Sequence, residues 1–110
     1  MTLVGNSTAK RLGILCFYDK NGRAAKFLDG FLEDLMRNLT DLVVIVNGKI
    51  DDEARKMFGK YTDIIMVREN TGLDVAAYKQ ALLTIGWEKL ETYDEVLCLN
   101  DTITVSYTHL

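Results

Sequence analysis

Apolar blocks alternate with amphipathic segments along this chain, and the two patterns predict strands and helices in turn. Short, almost wholly apolar runs are typical of strands that are covered on both faces. They lie at residues 12–18, 42–46, 63–67 and 95–99. Apolar side chains that recur at steps of three and four positions predict helices. These helices cover residues 23–39, 52–60, 75–85 and 87–92.

Three features of the predicted helices can be compared with a structure. The first helix should bury one face, made of Ala24, Phe27, Leu28, Phe31, Leu32, Leu35 and Leu39. Asp51 is well placed as the N-cap of the second helix. Tyr78 and Trp87 are better explained as packing residues with a polar edge than as a platform on which a base stacks.

The regular alternation of strands and helices implies right-handed crossovers and a parallel sheet. We therefore expect an open, Rossmann-like α/β sheet with strand order 3-2-1-4 and helices on both faces. This order places the topological switch between the first and fourth strands, and ligands of such sheets bind at the carboxyl ends of the strands. The strand ends that should converge there are Tyr18-Asp19, Asn47-Gly48 and Asn100-Asp101.

The composition is that of one ordinary globular domain. The chain has 110 residues, of which 48% are hydrophobic and 26% charged, with a net charge of −3. An acidic balance argues against nucleic acid as a partner. Cys16 and Cys98 lie in apolar runs, as buried reduced thiols do, so we expect a cytoplasmic protein, with the inner face of the membrane as one location. No apolar run has the length of a transmembrane segment.

Both ends of the chain are set apart from the predicted domain, which covers residues 11–104. Residues 1–10 lack the features of a signal peptide and are expected to form a flexible leader. Residues 105–110 match one reading frame of a transposon end used in sequencing libraries, so we expect a non-native tail; a native hairpin or loop is the alternative. His109, the only histidine, therefore receives no catalytic role. The chain is expected to be the amino-terminal piece of a longer protein.

The segment from Glu69 to Asp74 is a polar loop that opens the third predicted helix. Asn70 and Gly72 would let backbone N–H groups approach a ligand closely. Asp74 is either a helix cap or a contact to a sugar or nucleotide. Lys79, one turn further on, is either a phosphate ligand or a solvated surface lysine. These residues make the loop a candidate segment for binding the donor substrate of a nucleotide-dependent transferase.

Asp101 is the best candidate for a metal ligand, because Mg²⁺ and Mn²⁺ prefer carboxylate oxygen and often bridge to substrate phosphates. The alternative is that residues 100–102 simply end the strand in a turn. Tyr18, Asp19, Asn47 and Asn100 also lie at strand ends. Asp19 and Asn47 could each contact a base or ribose, although a turn role explains each equally well.

Several catalytic motifs are missing from the sequence. It has no Walker A loop, no G-x-G-x-x-G, no C-x-x-C and no G-x-S-x-G. With His109 set aside, no Ser-His or Cys-His pair remains that could activate a nucleophile. The catalytic residues therefore stay unassigned.

The region from Leu12 to Thr102 resembles the rhamnan synthesis protein F family of bacterial glycosyltransferases. The matching segments are Phe17-Tyr18-Asp19-Lys20-Asn21-Gly22, Val44-Ile45-Val46-Asn47-Gly48, Arg68-Glu69-Asn70-Thr71-Gly72-Leu73-Asp74-Val75-Ala76-Ala77-Tyr78-Lys79 and Leu99-Asn100-Asp101-Thr102. A more distant similarity is to family-2 glycosyltransferases of the GT-A fold. There a D-x-D-like strand end holds the metal, whereas this chain supplies a single carboxylate, Asp101.

The resemblance implies transfer of a sugar, expected to be rhamnose, from a nucleotide-sugar donor to a bacterial cell-surface polysaccharide. It also implies a divalent cation, Mg²⁺ or Mn²⁺, at Asp101. The glycan acceptor would bind to a carboxy-terminal region that this chain lacks, so we expect the fragment alone to be inactive. The alternative is a non-catalytic nucleotide-binding or interaction domain of the flavodoxin or receiver type. A receiver needs an aspartate after its third strand, where this chain has Val67-Arg68.

Overall fold

The computed structural model describes residues 9–69, 74–100 and 105–109 of the chain. Five strands and four helices lie in these ranges. The strands are β1 (Arg11–Phe17), β2 (Asp41–Asn47), β3 (Ile65–Arg68), β4 (Glu95–Asn100) and β5 (Val105–His109). The helices are α1 (Lys26–Met36), α2 (Asp52–Gly59), α3 (Asp74–Ile85) and α4 (Trp87–Leu90). The predicted leader falls mostly on residues 1–8, outside the described residues.

The strands form one sheet in the order β3-β2-β1-β4-β5. The first four strands are parallel, which confirms the predicted order 3-2-1-4. β5 pairs antiparallel with β4, from Glu95↔His109 to Leu99↔Val105. Residues 105–109, which resemble a translated adapter, thus extend the sheet by one edge strand that the periodicity analysis left out.

Helices cover both faces of the sheet, as expected for this α/β class. Because successive side chains of a strand point to opposite faces, each central strand contributes to two separate cores. On one face α1 and α2 pack on residues that include Leu15, Phe17, Val44, Val46, Leu97 and Leu99. On the other face α3 and α4 pack on Leu12, Ile14, Cys16, Val43, Ile45, Val96 and Cys98. Each fully buried side chain of this size contributes about 1.5–3 kcal/mol of hydrophobic stabilisation.

The first helix is shorter than its apolar pattern predicts, and one of its apolar residues points outward. α1 starts at Lys26 and ends at Met36, and the side chain of Phe27 is 51% exposed. Leu39 lies beyond the helix but is still buried, against β1. Gly13 makes this possible, since a Cβ there would lie 2.6 Å from Leu39 Cδ1. The apolar pattern therefore predicted the burial of Leu39 correctly, but it wrongly extended the helix to that residue.

The packing role predicted for Trp87 is also wrong. Its side chain is 65% exposed at the start of α4, a helix of only four residues. Leu90 provides the buried contact of that short helix instead. None of the helices in the described ranges has both the length and the apolar character that crossing a bilayer requires.

Two loops at the carboxyl edge of the sheet are joined through Gly22. This residue adopts φ +76°, and Asp51 N donates to Gly22 O at 2.8 Å. A Cβ at Gly22 would lie 2.8 Å from Ile50 N, so only glycine fits without displacing the loop that follows β2. Asp51 also caps α2 as predicted, because its Oδ1 accepts from Ala54 N at 2.7 Å.

Replacing Gly22 with alanine should therefore destabilise the domain. A left-handed backbone combined with a backbone clash should cost at least about 1–3 kcal/mol of unfolding free energy. Gly30→Ala is the matched control: Gly30 lies within α1, and a Cβ there would meet no neighbouring element of the described chain within 4 Å, so that change should stabilise by up to about 1 kcal/mol. Chemical denaturation measures both, and equal stability of the two variants would contradict this account of Gly22.

Candidate functional site

The strand order brings three polar strand ends to one edge of the sheet. β1 ends at Phe17, immediately before Tyr18 and Asp19, and its neighbours β2 and β4 end at Asn47 and Asn100. Asn47 and Asn100 are separated by two strand spacings, about 10 Å. This edge is the place where parallel α/β sheets bind ligands. The predicted convergence of strand ends is therefore present for the part of each end that the structure describes.

Asn47 is a buried polar residue with a defined partner. Its side chain is 4% exposed, and its Oδ1 accepts a hydrogen bond from Arg68 Nη1 at 3.1 Å. Arg68 is also its neighbour across the sheet, and Gly48 N donates to Arg68 O at 2.9 Å. The same guanidinium donates from Nε to Gln80 Oε1 on α3, at 2.8 Å. Asn47 thus holds an arginine at the end of the sheet.

The first half of α3 is hydrogen-bonded to two strands of the sheet, β4 and β3. Tyr78 Oη donates to the carbonyl of Leu99 near the end of β4 at 2.5 Å, while Gln80 accepts from Arg68 at the end of β3. This agrees with the prediction of Tyr78 as a packing residue with a polar edge. Lys79 lies between them in sequence and is exposed, as a solvated lysine or a ligand-binding lysine would be.

Asp19 organises the loop that follows β1. Its Oδ2 accepts from Asn21 N and from Arg23 N, each at 2.9 Å. These two backbone N–H groups stabilise the carboxylate and hold the pKa of Asp19 below its usual value, and the N–H of Arg23 has the larger effect. The turn role of Asp19 is therefore observed. Tyr18, one residue earlier, is 46% exposed, so its ring is accessible at the same edge.

Other predicted site residues lie outside the described residues. They are Asn70, Gly72 and Asp101, and for Asp74 the structure gives the backbone, at the first position of α3, but not the side chain. Asn100 is described and lies at the end of β4, partly buried. Among the side chains that are described, no group of three or more His, Cys, Asp or Glu could hold a metal ion.

Sequence reasoning gave no site role to Arg68 or Gln80, although both lie at this edge. Arg68 is the last residue of β3, and Gln80 lies in the second turn of α3. The available signal was position: an arginine at the end of a strand, just before a Gly-containing loop and a helix. Its contact with a residue twelve positions later depends on the docking of α3, which no local pattern reports.

A cleft at the opposite, amino edge of the sheet is a second concave region, with a volume of about 470 Å³. Several of its polar groups are already paired with protein atoms: Tyr93 Oη donates to Asp41 Oδ2 at 2.5 Å, and Thr62 Oγ1 donates to the carbonyl of Leu42 at 2.5 Å. Burial and the bond to Asp41 raise the pKa of Tyr93 to about 12. These groups are engaged in structure, so the cleft is the weaker candidate.

The two cysteines have the structural role that the sequence indicates. Cys16 and Cys98 are both buried and in the thiol form. Burial raises the pKa of the Cys98 thiol, which keeps it protonated and a poor nucleophile.

The role of Asp19 can be tested by replacing it with asparagine. Because its pKa is lowered in the folded state, the carboxylate stabilises the fold above its unfolded pKa of about 3.9. That stabilisation is lost as the pH falls through the lower folded value. Between pH 7 and pH 3, wild type should therefore lose more unfolding free energy than Asp19→Asn.

The matched control is Asp34→Asn, at an exposed carboxylate that lies 3.7 Å from Arg37 on α1. Urea denaturation at a series of pH values measures all three proteins, and Asp34→Asn should keep the steep acid dependence of wild type. Parallel pH profiles for wild type and Asp19→Asn would contradict the assignment of Asp19 to the loop.

Comparison with protein families identifies the family to which this chain belongs. No curated protein and no solved structure matches the chain. The family model described as rhamnan synthesis protein F matches residues 42–106, which is more than half of the chain. The matched range contains β2, β3, α3 and β4, and with them Asn47, Arg68 and Asn100. The chain therefore belongs to the rhamnan synthesis protein F family.

Proposed function

We propose that this chain is the donor-binding part of a glycosyltransferase that transfers rhamnose from a nucleotide sugar to a bacterial cell-surface polysaccharide. The observation that carries the proposal is the polar carboxyl edge of the sheet, where Asn47, Arg68 and Asn100 lie on β2, β3 and β4, around the topological switch between β1 and β4. Nucleotides bind at this position in open α/β sheets. Membership of the rhamnan synthesis protein F family supports a role in polysaccharide synthesis, and sugar transfer is the reaction we propose for it.

Within this proposal, each part of the edge contacts a different part of the donor. Asp19, Asn47 and Tyr18 follow β1 and β2 and are available to the nucleoside. Asn70, Gly72 and Asp74 precede or begin α3, where backbone N–H groups and the helix dipole favour a negatively charged ligand. Such fixed groups lower the barrier by holding the donor in place and stabilising charge on the departing diphosphate. Lys79 adds a positive charge on the exposed side of the same helix.

A divalent cation fits one side of this edge better than the other. Asn47 Oδ1 already accepts from Arg68, and the guanidinium charge would repel a cation there. Asn100, two strands away, and Asp101, which follows it in the sequence, would offer amide and carboxylate oxygens, which Mg²⁺ and Mn²⁺ accept as ligands together with water. Asp101 would therefore hold the cation, which would supply positive charge to the donor diphosphate. The acceptor glycan would bind to further parts of the full-length enzyme, on the cytoplasmic side of the membrane.

The flavodoxin or receiver alternative is not favoured by the sheet. Those folds have strand order 2-1-3-4-5, whereas here β3 lies at the outer side of β2 and β4 is next to β1. The end of β3 carries Arg68 in place of the aspartate that a receiver would phosphorylate.

Titration of the chain with nucleotide sugars tests the proposal directly. Isothermal titration calorimetry with dTDP-rhamnose, UDP-sugars and GDP-sugars, each with and without Mn²⁺, should reveal one donor class that binds and releases heat. If the cation is held as proposed, Mn²⁺ should tighten binding of that donor. Absence of binding by every nucleotide sugar, in a chain that circular dichroism shows to be folded, would contradict the proposal.

Replacing Asp101 with alanine in the full-length enzyme should abolish sugar transfer and leave the fold intact. The reason is that the cation, and with it the charge that stabilises the leaving diphosphate, would be lost. Asp63→Ala is the matched control, because Asp63 is an exposed carboxylate just before β3, at the amino edge. A radiolabelled transfer assay should show wild-type turnover for the control. Unchanged turnover of Asp101→Ala would remove Asp101 from the mechanism.

A further inference from the structure

Arg68 is a partly buried arginine that is held by uncharged partners. Its Nε donates to Gln80 Oε1 at 2.8 Å, and its Nη1 donates to Asn47 Oδ1 at 3.1 Å. Both acceptors are amide oxygens. The ion pairs formed in the described part of the chain involve other residues. Among the described residues, those that hold Arg68 are therefore uncharged and do not compensate its positive charge.

The guanidinium keeps donors available after these two bonds. It carries five N–H groups in a planar fork, and the bonds to Gln80 and Asn47 use one on Nε and one on Nη1. Donors on both terminal nitrogens remain for a ligand. Two oxygens of a phosphate group match such a fork, and hydrogen bonds between two charged groups are about twice as strong as neutral ones.

The position of the guanidinium is fixed in advance of any ligand. Asn47 is 4% exposed and is the direct cross-strand neighbour of Arg68, so its carboxamide has little freedom to move. Gln80 belongs to α3, which is itself bonded to β4 through Tyr78. An arginine that is already ordered loses less side-chain entropy on binding than a free surface arginine does. The segment that leads into α3 begins directly after Arg68 in the sequence.

We propose that Arg68 binds a phosphate group of the nucleotide-sugar donor, with Asn47 and Gln80 acting as positioning residues for its guanidinium. The identity of the phosphate's carrier rests on the proposed function. The chemistry itself does not depend on the base or the sugar. Inorganic pyrophosphate offers the same oxygens without either, and can therefore probe Arg68 alone.

The experiment compares three variants of this chain by calorimetric titration with pyrophosphate and with UDP, dTDP and GDP. Arg68→Gln should weaken binding roughly 10- to 100-fold, which is typical for loss of charged hydrogen bonds. Arg68→Lys keeps the charge but not the fork, so its affinity should lie between those of wild type and Arg68→Gln. Arg37→Gln is the matched control: it removes an arginine charge at the end of α1, which pairs with Asp34, and should bind as wild type does.

A fourth variant, Gln80→Ala, separates position from charge. It keeps the guanidinium and its charge but removes the acceptor that orients its Nε–H. The loss of affinity should be smaller than for Arg68→Gln, about two- to tenfold, because the variant removes one bond that positions the guanidinium and none of the guanidinium's own donors. Thermal unfolding of every variant shows that the compared proteins are folded. Because Gln80 is exposed, this variant tests the proposal even if Arg68→Gln does not fold.

Two results would overturn the proposal. The first is a pyrophosphate affinity that is equal in wild type, Arg68→Gln and Gln80→Ala. The second is that Arg68→Gln weakens the binding of a nucleoside (uridine, thymidine or guanosine) as much as the binding of its diphosphate. The second result would assign Arg68 to the base. If pyrophosphate binds through Arg68 but no nucleotide sugar binds, the phosphate site stands and the proposed function fails. If nucleotide sugars bind equally to wild type and Arg68→Gln, the proposed function stands and the phosphate site at Arg68 fails.

Discussion

The central strand β1 is the element on which the rest of this domain depends. All seven of its residues are buried, and it is hydrogen-bonded to β2 on one side and to β4 on the other. Such a strand has no exposed face, so its side chains must satisfy two cores at once. Leu15 and Phe17 point towards α1 and α2, and Ile14 and Cys16 point towards α3. A shift of one residue in its register would exchange the two sets.

The position of the candidate site follows from this central strand. Because β2 and β4 both pair with β1 in parallel, their carboxyl ends must lie on either side of its own end. α3 then packs on the same strands through two small residues, Ala77 and Ala81, which are fully buried. Small side chains bring a helix close to a sheet, and this closeness lets Tyr78 reach the end of β4. The polar edge is therefore a consequence of how the apolar core is packed.

The sequence predicted the strands, their order and the two-sided helix cover, because these depend on patterns that repeat along the chain. It misplaced features that depend on single contacts. Phe27 follows the helical period but lies exposed at the first turn of α1, where the N-terminal residues of the predicted helix belong instead to the loop organised by Asp19. The packing role predicted for Trp87 is wrong for a similar reason: α4 has four residues, and the one it buries is Leu90. The link between Asn47, Arg68 and Gln80 joins three elements, so no local pattern could report it.

The two ends of the sheet treat positive charge differently, and this difference supports a functional carboxyl edge. At the amino edge Arg11 is 4% exposed and is paired with the carboxylate of Glu95 at 2.9 Å, its cross-strand neighbour. A buried arginine needs such compensation, since an unpaired buried charge costs several kcal/mol, on the order of 3–5. Arg68, at the carboxyl edge, has amide partners in place of a carboxylate. Amides orient a guanidinium without neutralising it, which keeps its charge available to an anionic ligand.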